Sequence, residues 1–277
     1  MREIPVSFEF FPPNTPVGSE KLKTVVAELA ATRPEFFSVT YGAGGSTREK
    51  TLATVQAIAA AGHEAAPHLS CVGSTREGIA EILETYRSQG LKRLVALRGD
   101  LPSGMATAGE FRYASELIEF VRSTHGSHWN IEVAAYPEYH PQQRYVKKDL
   151  EYFAAKVKAG ADSAITQFFF NADAYFHFVD EVRKLGVSIP IVPGIMPFHN
   201  YANIARISAR DGIDIPRWVA LKMEGYMDDA ASIRAFGLDV VSRLCERLVE
   251  GGAPALHFYT LNQSALVLEL CRRIRPA

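Results

Sequence analysis

Short runs rich in β-branched and aromatic residues, each followed by a longer amphipathic stretch, recur from one end of this chain to the other. The runs lie at about residues 5 to 10 (PVSFEF), 35 to 40 (EFFSVT), 64 to 70 (EAAPHLS), 92 to 97 (KRLVAL), 130 to 136 (NIEVAAY), 163 to 168 (SAITQF), 190 to 195 (PIVPGI) and 254 to 259 (PALHFY). Helical patterns separate them, near residues 22 to 29, 47 to 61, 75 to 89, 113 to 124, 146 to 159, 173 to 185 and 262 to 273. In the first of these, Leu22, Val25, Val26 and Leu29 recur at spacings of three and four, with Ser19 placed to start the helix. Strands that alternate with helices must run parallel, with each helix as the crossover. Eight such units predict an α/β fold of the (β/α)8 TIM-barrel type, although an open doubly wound sheet shares the same periodicity. Between the seventh and eighth runs, helices are expected near 201 to 209 and 229 to 250, together with a segment holding Pro216 and Trp218. This reads as a local elaboration. The 277 residues contain no low-complexity linker or charge block, so a single domain is predicted.

Composition excludes several classes of function. With 30 basic and 31 acidic residues spread along the chain, no basic face is expected for nucleic acid or an anionic membrane. No run approaches 18 uninterrupted apolar residues, and the amino terminus lacks the features of a secretory leader, so a cytoplasmic location is expected. Cys71, Cys245 and Cys271 are odd in number and widely spaced, which favours neither a disulfide framework nor a zinc site.

A barrel places its active site at the carboxyl ends of the strands. Polar residues stand at those ends: Glu9, Thr40, His68, Arg98, Asp100, Tyr136 and Gln167. Strand alternation puts Phe8 and Phe10 on one side and Ser7 and Glu9 on the other. A carboxylate half-buried beside aromatic rings would have its pKa raised toward that of a general acid; the alternative is an ion pair with a neighbour such as Arg98. In Arg98-Gly99-Asp100, the glycine permits close backbone approach, the arginine suits a phosphate and the aspartate suits a polar heterocycle. His68 and His140 can bond a cofactor or serve the structure, and no set of residues has metal-ligand spacing. Residues 42 to 47 carry Thr47 where a dinucleotide fingerprint needs glycine or alanine, and residues 73 to 78 continue into Ile79-Ala80 without the lysine and hydroxyl of a P-loop. There is no G-x-S-x-G elbow.

The motifs SFEFFPP (7 to 13), SVTYGAGG (38 to 45), AAPHLSC (65 to 71), ALRGDLP (96 to 102), AAYPEYHP (134 to 141), AITQFFF (164 to 170), PGIMP (193 to 197) and HFYTLN (257 to 262) occur in order over nearly the whole chain. Together they resemble the bacterial type of methylenetetrahydrofolate reductase, without the regulatory domain of eukaryotic relatives. The resemblance implies a barrel that holds FAD non-covalently and interconverts 5,10-methylenetetrahydrofolate and 5-methyltetrahydrofolate. NADH or NADPH would be the other hydride partner, in ping-pong order. It implies Glu9 as the catalytic acid that opens the folate's five-membered ring. Thr40, Tyr41, Ala43, His68, Arg98, Gly99, Asp100, Tyr113, Ala114, Tyr136, His140, Asp149 and Lys156 would line the FAD site, with Arg98, His140 and Lys156 toward its pyrophosphate. Asp100 and Gln167 would hold the folate, and a homo-oligomer is expected. Gln263 stands where many relatives have an arginine suited to the folate tail, Asn203 where some have glutamine and Ile207 where a phenylalanine packs on substrate. The contrasting readings are a TIM-barrel lyase or aldolase that uses Glu9 and Asp100 without a redox cofactor, and a non-catalytic folate- or flavin-binding protein.

Overall fold

The structure, a computed structural model, describes residues 4–41, 47–100, 109–198 and 200–274. The strands are β1 (Val6–Phe10), β2 (Phe37–Val39), β3 (Ala65–Ser70), β4 (Arg93–Leu97), β5 (Asn130–Ala135), β6 (Ser163–Thr166), β7 (Ile191–Val192), β8 (Gly194–Ile195) and β9 (Leu256–Tyr259). All pair in parallel, in the order β7-β6-β5-β4-β3-β2-β1-β9-β8. The two ends of that order, β7 and β8, are separated in the chain only by Pro193. They are two halves of the single strand expected at 190 to 195, so the sheet closes into a barrel. Proline has no N–H to give a ladder, and the chain changes partner there from β6 to β9. The seam is tied by the His257 backbone N–H, which donates to the Pro193 carbonyl at 3.0 Å, and by the Gly194 N–H, which donates to Thr166 Oγ1 at 2.9 Å. A Cβ at Gly194 would lie 2.2 Å from the Thr166 carbonyl oxygen, so only glycine fits.

Alternation along β1 sorts the core. Val6, Phe8 and Phe10 point outward and are buried under α1 (Pro16–Ala30) and α2 (Arg48–Ala60), where the Phe8 and Phe10 rings lie 5.8 and 5.6 Å from Phe37. Leu22, Val25, Val26 and Leu29 of α1 are the buried face, as their spacing predicts. The helix begins earlier than Ser19: Thr15 is the N-cap, accepting from the Gly18 N–H, and Pro16 takes the first turn, where its missing N–H costs nothing.

Inside the barrel, Phe36, Ala66, Val95 and Ile165 form an apolar plug. Below it, at the amino ends of the strands, the Arg93 guanidinium pairs with the buried Glu132 and lies 4.4 Å from the Phe36 ring. The plug and this ion pair fill the amino end of the interior, leaving the carboxyl end for a site.

Four further crossover helices follow the barrel rule, α3 (Arg76–Ser88), α4 (Ala114–His125), α5 (Val146–Lys158) and α6 (Ala172–Lys184), and α10 (Ala265–Ile274) follows the last strand. The elaboration before β9 holds α7 (Tyr201–Asp211), α8 (Arg217–Gly225) and α9 (Ala230–Glu250). Helix α8 is the segment with Pro216 and Trp218. Pro216 caps it, and only Val219 and Met223 are buried on it, too short a pattern to be read as a helix. Among the described residues, no helix is long and apolar enough to cross a membrane.

Candidate active site

Glu9 turns into the barrel mouth, where Oε2 lies 3.3 Å from His68 Nε2 on β3 and 3.6 Å from His257 Nε2 on β9. Both are ion-pair contacts, not well-directed hydrogen bonds. Burial pushes the Glu9 carboxyl upward, as its aromatic neighbours led one to expect. The two imidazoles outweigh that push and hold the pKa down at about 2. The expected elevation is therefore corrected, and the expected partner changes with it. Arg98 turns away, donating to the Gln142 side chain at 2.7 Å and to the Gly99 carbonyl at 3.2 Å.

The backbone around Glu9 is fixed by the turn after β9. Thr260 Oγ1 donates to the Glu9 carbonyl at 2.7 Å, and the Asn262 side chain brackets the Phe11 backbone, accepting from its N–H at 3.1 Å and donating to its carbonyl at 2.9 Å. Asn262 sits at φ +56°, a conformation asparagine tolerates better than most residues. Tyr259 extends the group. Its hydroxyl donates to the Thr166 carbonyl at 2.8 Å, and burial, then Glu9 and Tyr136, drive its pKa well up.

Beside this group, between the ends of β4 and β5 and the helices α4 and α5, opens a cleft of 460 Å³. Arg98, Gly99, Asp100, Tyr113, Ala114, Tyr136, His140, Asp149 and Lys156 all line it, nine of the residues singled out from the sequence. Gly99 has φ +82°, and a Cβ there would meet Ser70 Oγ at 1.8 Å, so this turn requires glycine. Lys156 is half-buried and donates to the Ala134 carbonyl; desolvation lowers its pKa to about 8, and Asp149 offsets only part of that. Asp149 also accepts the His140 backbone N–H at 2.8 Å. Burial lowers the His140 pKa, and burial with Asp100 and Asp149 pushes Tyr136 up to about 12. A half-buried, incompletely compensated cation on the wall of this cleft is suited to an anion such as a pyrophosphate.

The other residues expected in the site lie apart from this cleft. Thr40 follows β2 and anchors α2, its carbonyl accepting from Thr51 Oγ1 at 2.8 Å; Tyr41 comes next and is half-buried. Ala43 lies outside the described residues. Gln167 follows β6, and its Oε1 accepts from the Phe168 N–H at 3.1 Å. Gln263 is exposed on the rim before α10. On α7, Asn203 accepts from Arg206 at 2.9 Å, and Ile207 packs on the core.

Sequence reasoning set Ser7 on the side of Glu9 without giving it a role, and passed over His257 and Tyr259. Alternation through HFYT would have found the last two, since the register sets His257 beside Ser7 and Tyr259 beside Glu9. It also passed over Gln142 and Tyr152, which line the cleft. The Tyr152 ring stacks 5.3 Å from that of Tyr113. Among the described residues, no group of three His, Cys, Asp or Glu could hold a metal ion.

Comparison with known proteins gives a consistent set of matches. The family model described as methylenetetrahydrofolate reductase matches residues 1–275. The chain is 36% identical to the 5,10-methylenetetrahydrofolate reductases of Salmonella typhimurium and Escherichia coli, over 99% of this chain and 92% of each relative. It is 37% identical to methylenetetrahydrofolate reductase (NADH) 1 of Arabidopsis thaliana, over 92% of this chain and 46% of that protein. Among solved structures, an uncharacterized protein from Clostridium thermocellum that binds two copies of 5-methyl-5,6,7,8-tetrahydrofolic acid shares the fold. Its TM-score is 0.69 at 14% identity, covering 98% of this chain and 94% of that one.

Proposed function

Because the chain belongs to the methylenetetrahydrofolate reductase family, we propose that it is a flavin-dependent oxidoreductase, one catalytic unit that interconverts 5,10-methylenetetrahydrofolate and 5-methyltetrahydrofolate. NADH or NADPH is the other substrate, and the two substrates react in ping-pong order. The observation that carries this reading is the cleft walled by half-buried Lys156 and the glycine-dependent turn Arg98-Gly99-Asp100, next to a half-buried carboxylate at the barrel mouth. FAD, when bound, supplies the two-electron redox chemistry between nucleotide and folate.

The protein residues then have separable tasks. Arg98, His140 and Lys156 take the cofactor's pyrophosphate. Thr40, Tyr41, Ala43, His68, Gly99, Tyr113, Ala114, Tyr136 and Asp149 complete its site. Asp100 and Gln167 orient the pterin, while Gln263 meets the folate tail with a neutral amide in place of a charged fork. Glu9 delivers a proton to the amine nitrogen of the folate's five-membered ring as it opens. The enzyme acts in the cytoplasm and as a homo-oligomer.

Glu9→Gln tests the division of labour. It should leave NADH oxidation by an artificial acceptor within about threefold of wild type and cut folate turnover by about 100-fold or more, the usual scale for a lost general acid. Equal effects on both would remove Glu9 from its assigned role.

A further inference from the structure

Helix α7 begins after β8 and ends against the loop that follows β5, so it bridges the rim of the barrel mouth. Its end is pinned there. Gly212 closes the helix at φ +69°, where a Cβ would stand 3.5 Å from Pro141, and the Asp214 backbone N–H donates to Glu138 Oε2 at 3.1 Å. Ile204 and Ser208 form the buried face. One edge of that face is turned to α8 through Tyr201, whose hydroxyl lies 3.5 Å from Glu224 Oε1. Helical spacing groups Asn203, Arg206, Ile207 and Arg210 on the opposite edge, which looks across the mouth. Pairing with Asp211, and then the charge of Asp100, raise the Arg210 pKa, while Asp211 adds to the burial that raises Tyr136.

Arg210 is gripped from one side. Its Nε donates to Asp211 Oδ1 at 2.5 Å and its Nη2 to Oδ2 at 2.9 Å, which leaves Nη1 and the second Nη2 hydrogen without a partner among the described residues. The Arg210 side chain is 67% exposed and that of Asp211 20%, so a largely covered carboxylate aims an open fork. Arg206 donates to the neutral Asn203 Oδ1 at 2.9 Å and adds a second cation. This edge therefore carries net positive charge and a free pair of parallel donors, the arrangement that holds a carboxylate or a phosphate.

Resting on the reductase reading above, we propose that the Arg206–Arg210 edge of α7 binds the anionic arm of a substrate whose ring system lies against Asp100. That arm is the carboxylate-bearing tail of the folate or the phosphates of the pyridine nucleotide. Arg210 makes the bidentate contact, Asp211 aims it, and Arg206 supplies the surplus charge. From the rim after β9, Gln263 offers a folate tail only a neutral amide; α7 supplies a charged fork in its place.

The test measures binding by anaerobic equilibrium dialysis to the protein carrying chemically reduced FAD, so that no hydride moves. The probes are 5-methyltetrahydrofolate with one and with three glutamates, NADH and NADPH. Arg210→Gln should weaken at least one class of probe by about tenfold, and Arg210→Lys, which keeps the charge and loses the fork, by about threefold. Arg206→Gln should cost the same class about threefold, and the salt dependence of the affected affinity should flatten in each glutamine variant. Arg217→Gln makes the same change of charge on exposed α8 and should move no affinity by more than about twofold. A loss confined to the folates identifies the tail carboxylates, and one confined to the nucleotides identifies their phosphates; a loss in both shows that the two arms share the edge. Unchanged affinities for all four probes in Arg210→Gln, or an equal loss in Arg217→Gln, overturn the proposal. A wild-type protein that binds none of the four overturns the reductase reading itself.

Discussion

Replacing Glu9 by glutamine removes one partner from a buried charge cluster, and the geometry fixes how the loss depends on pH. Folding moves the Glu9 pKa from 4.5 to about 2, because His68 and His257 outweigh the cost of burial. A depression of that size, at about 1.36 kcal/mol per unit, is worth about 3 kcal/mol. The folded-state pKa lies below the unfolded one, so this stability is fully present above about 4.5 and is lost as pH falls through about 2. Glutamine approximates the protonated side chain. The difference in unfolding free energy between wild type and Glu9→Gln, from urea denaturation, should approach about 3 kcal/mol at about pH 6 and be roughly 1 kcal/mol smaller at about pH 3.5. Other acid-sensitive groups affect both proteins and cancel in the difference. A gap near zero at about pH 6, or one that stays flat down to about pH 3.5, would refute the pairing of Glu9 with the two histidines.

Lys156→Met should stabilise the flavin-free protein by about 1–2 kcal/mol near neutral pH, after allowing for the Ala134 carbonyl left without its donor. Because burial depresses the Lys156 pKa to about 8, that gain should shrink as pH rises from there through 10.5, while FAD affinity by flavin fluorescence falls at least about tenfold. Gly99→Ala forces φ +82° on an L-residue and drives its Cβ into Ser70, costing at least about 1–2 kcal/mol in thermal unfolding and weakening flavin retention. Gln263→Arg supplies a charged fork at the exposed rim. It should tighten binding of a polyglutamylated folate severalfold with little change in the rate at saturation; unchanged affinity would place the folate tail elsewhere.

The barrel was legible because its elements carry strong, separate periodicities. The outward row Val6, Phe8 and Phe10 and the α1 stripe from Leu22 to Leu29 are buried as their spacing requires. Pro193 was visible too, but its effect was not: whether a proline ends a strand or hands it from one neighbour to another depends on partners remote in sequence. Helix α8 escaped notice because only Val219 and Met223 anchor it. At the site, the cleft residues cluster at the ends of two adjacent strands and their helices, which local motifs can identify. The ionisation of Glu9 could not be read in the same way. Its aromatic neighbours lie one or two residues away, whereas the imidazoles that decide its charge come from β3 and β9, brought beside it only when the barrel closes. Gln263 was legible as a departure in residue type, and the structure adds that it stands exposed at the rim.

The visible spectrum of the purified protein, recorded under anaerobic conditions, then with NADH, then with methylenetetrahydrofolate, tests the reductase account most directly. The account predicts a bound-flavin spectrum that NADH bleaches and the folate restores. A colourless protein that cannot take up FAD would contradict it and favour a lyase working with Glu9 and Asp100 alone.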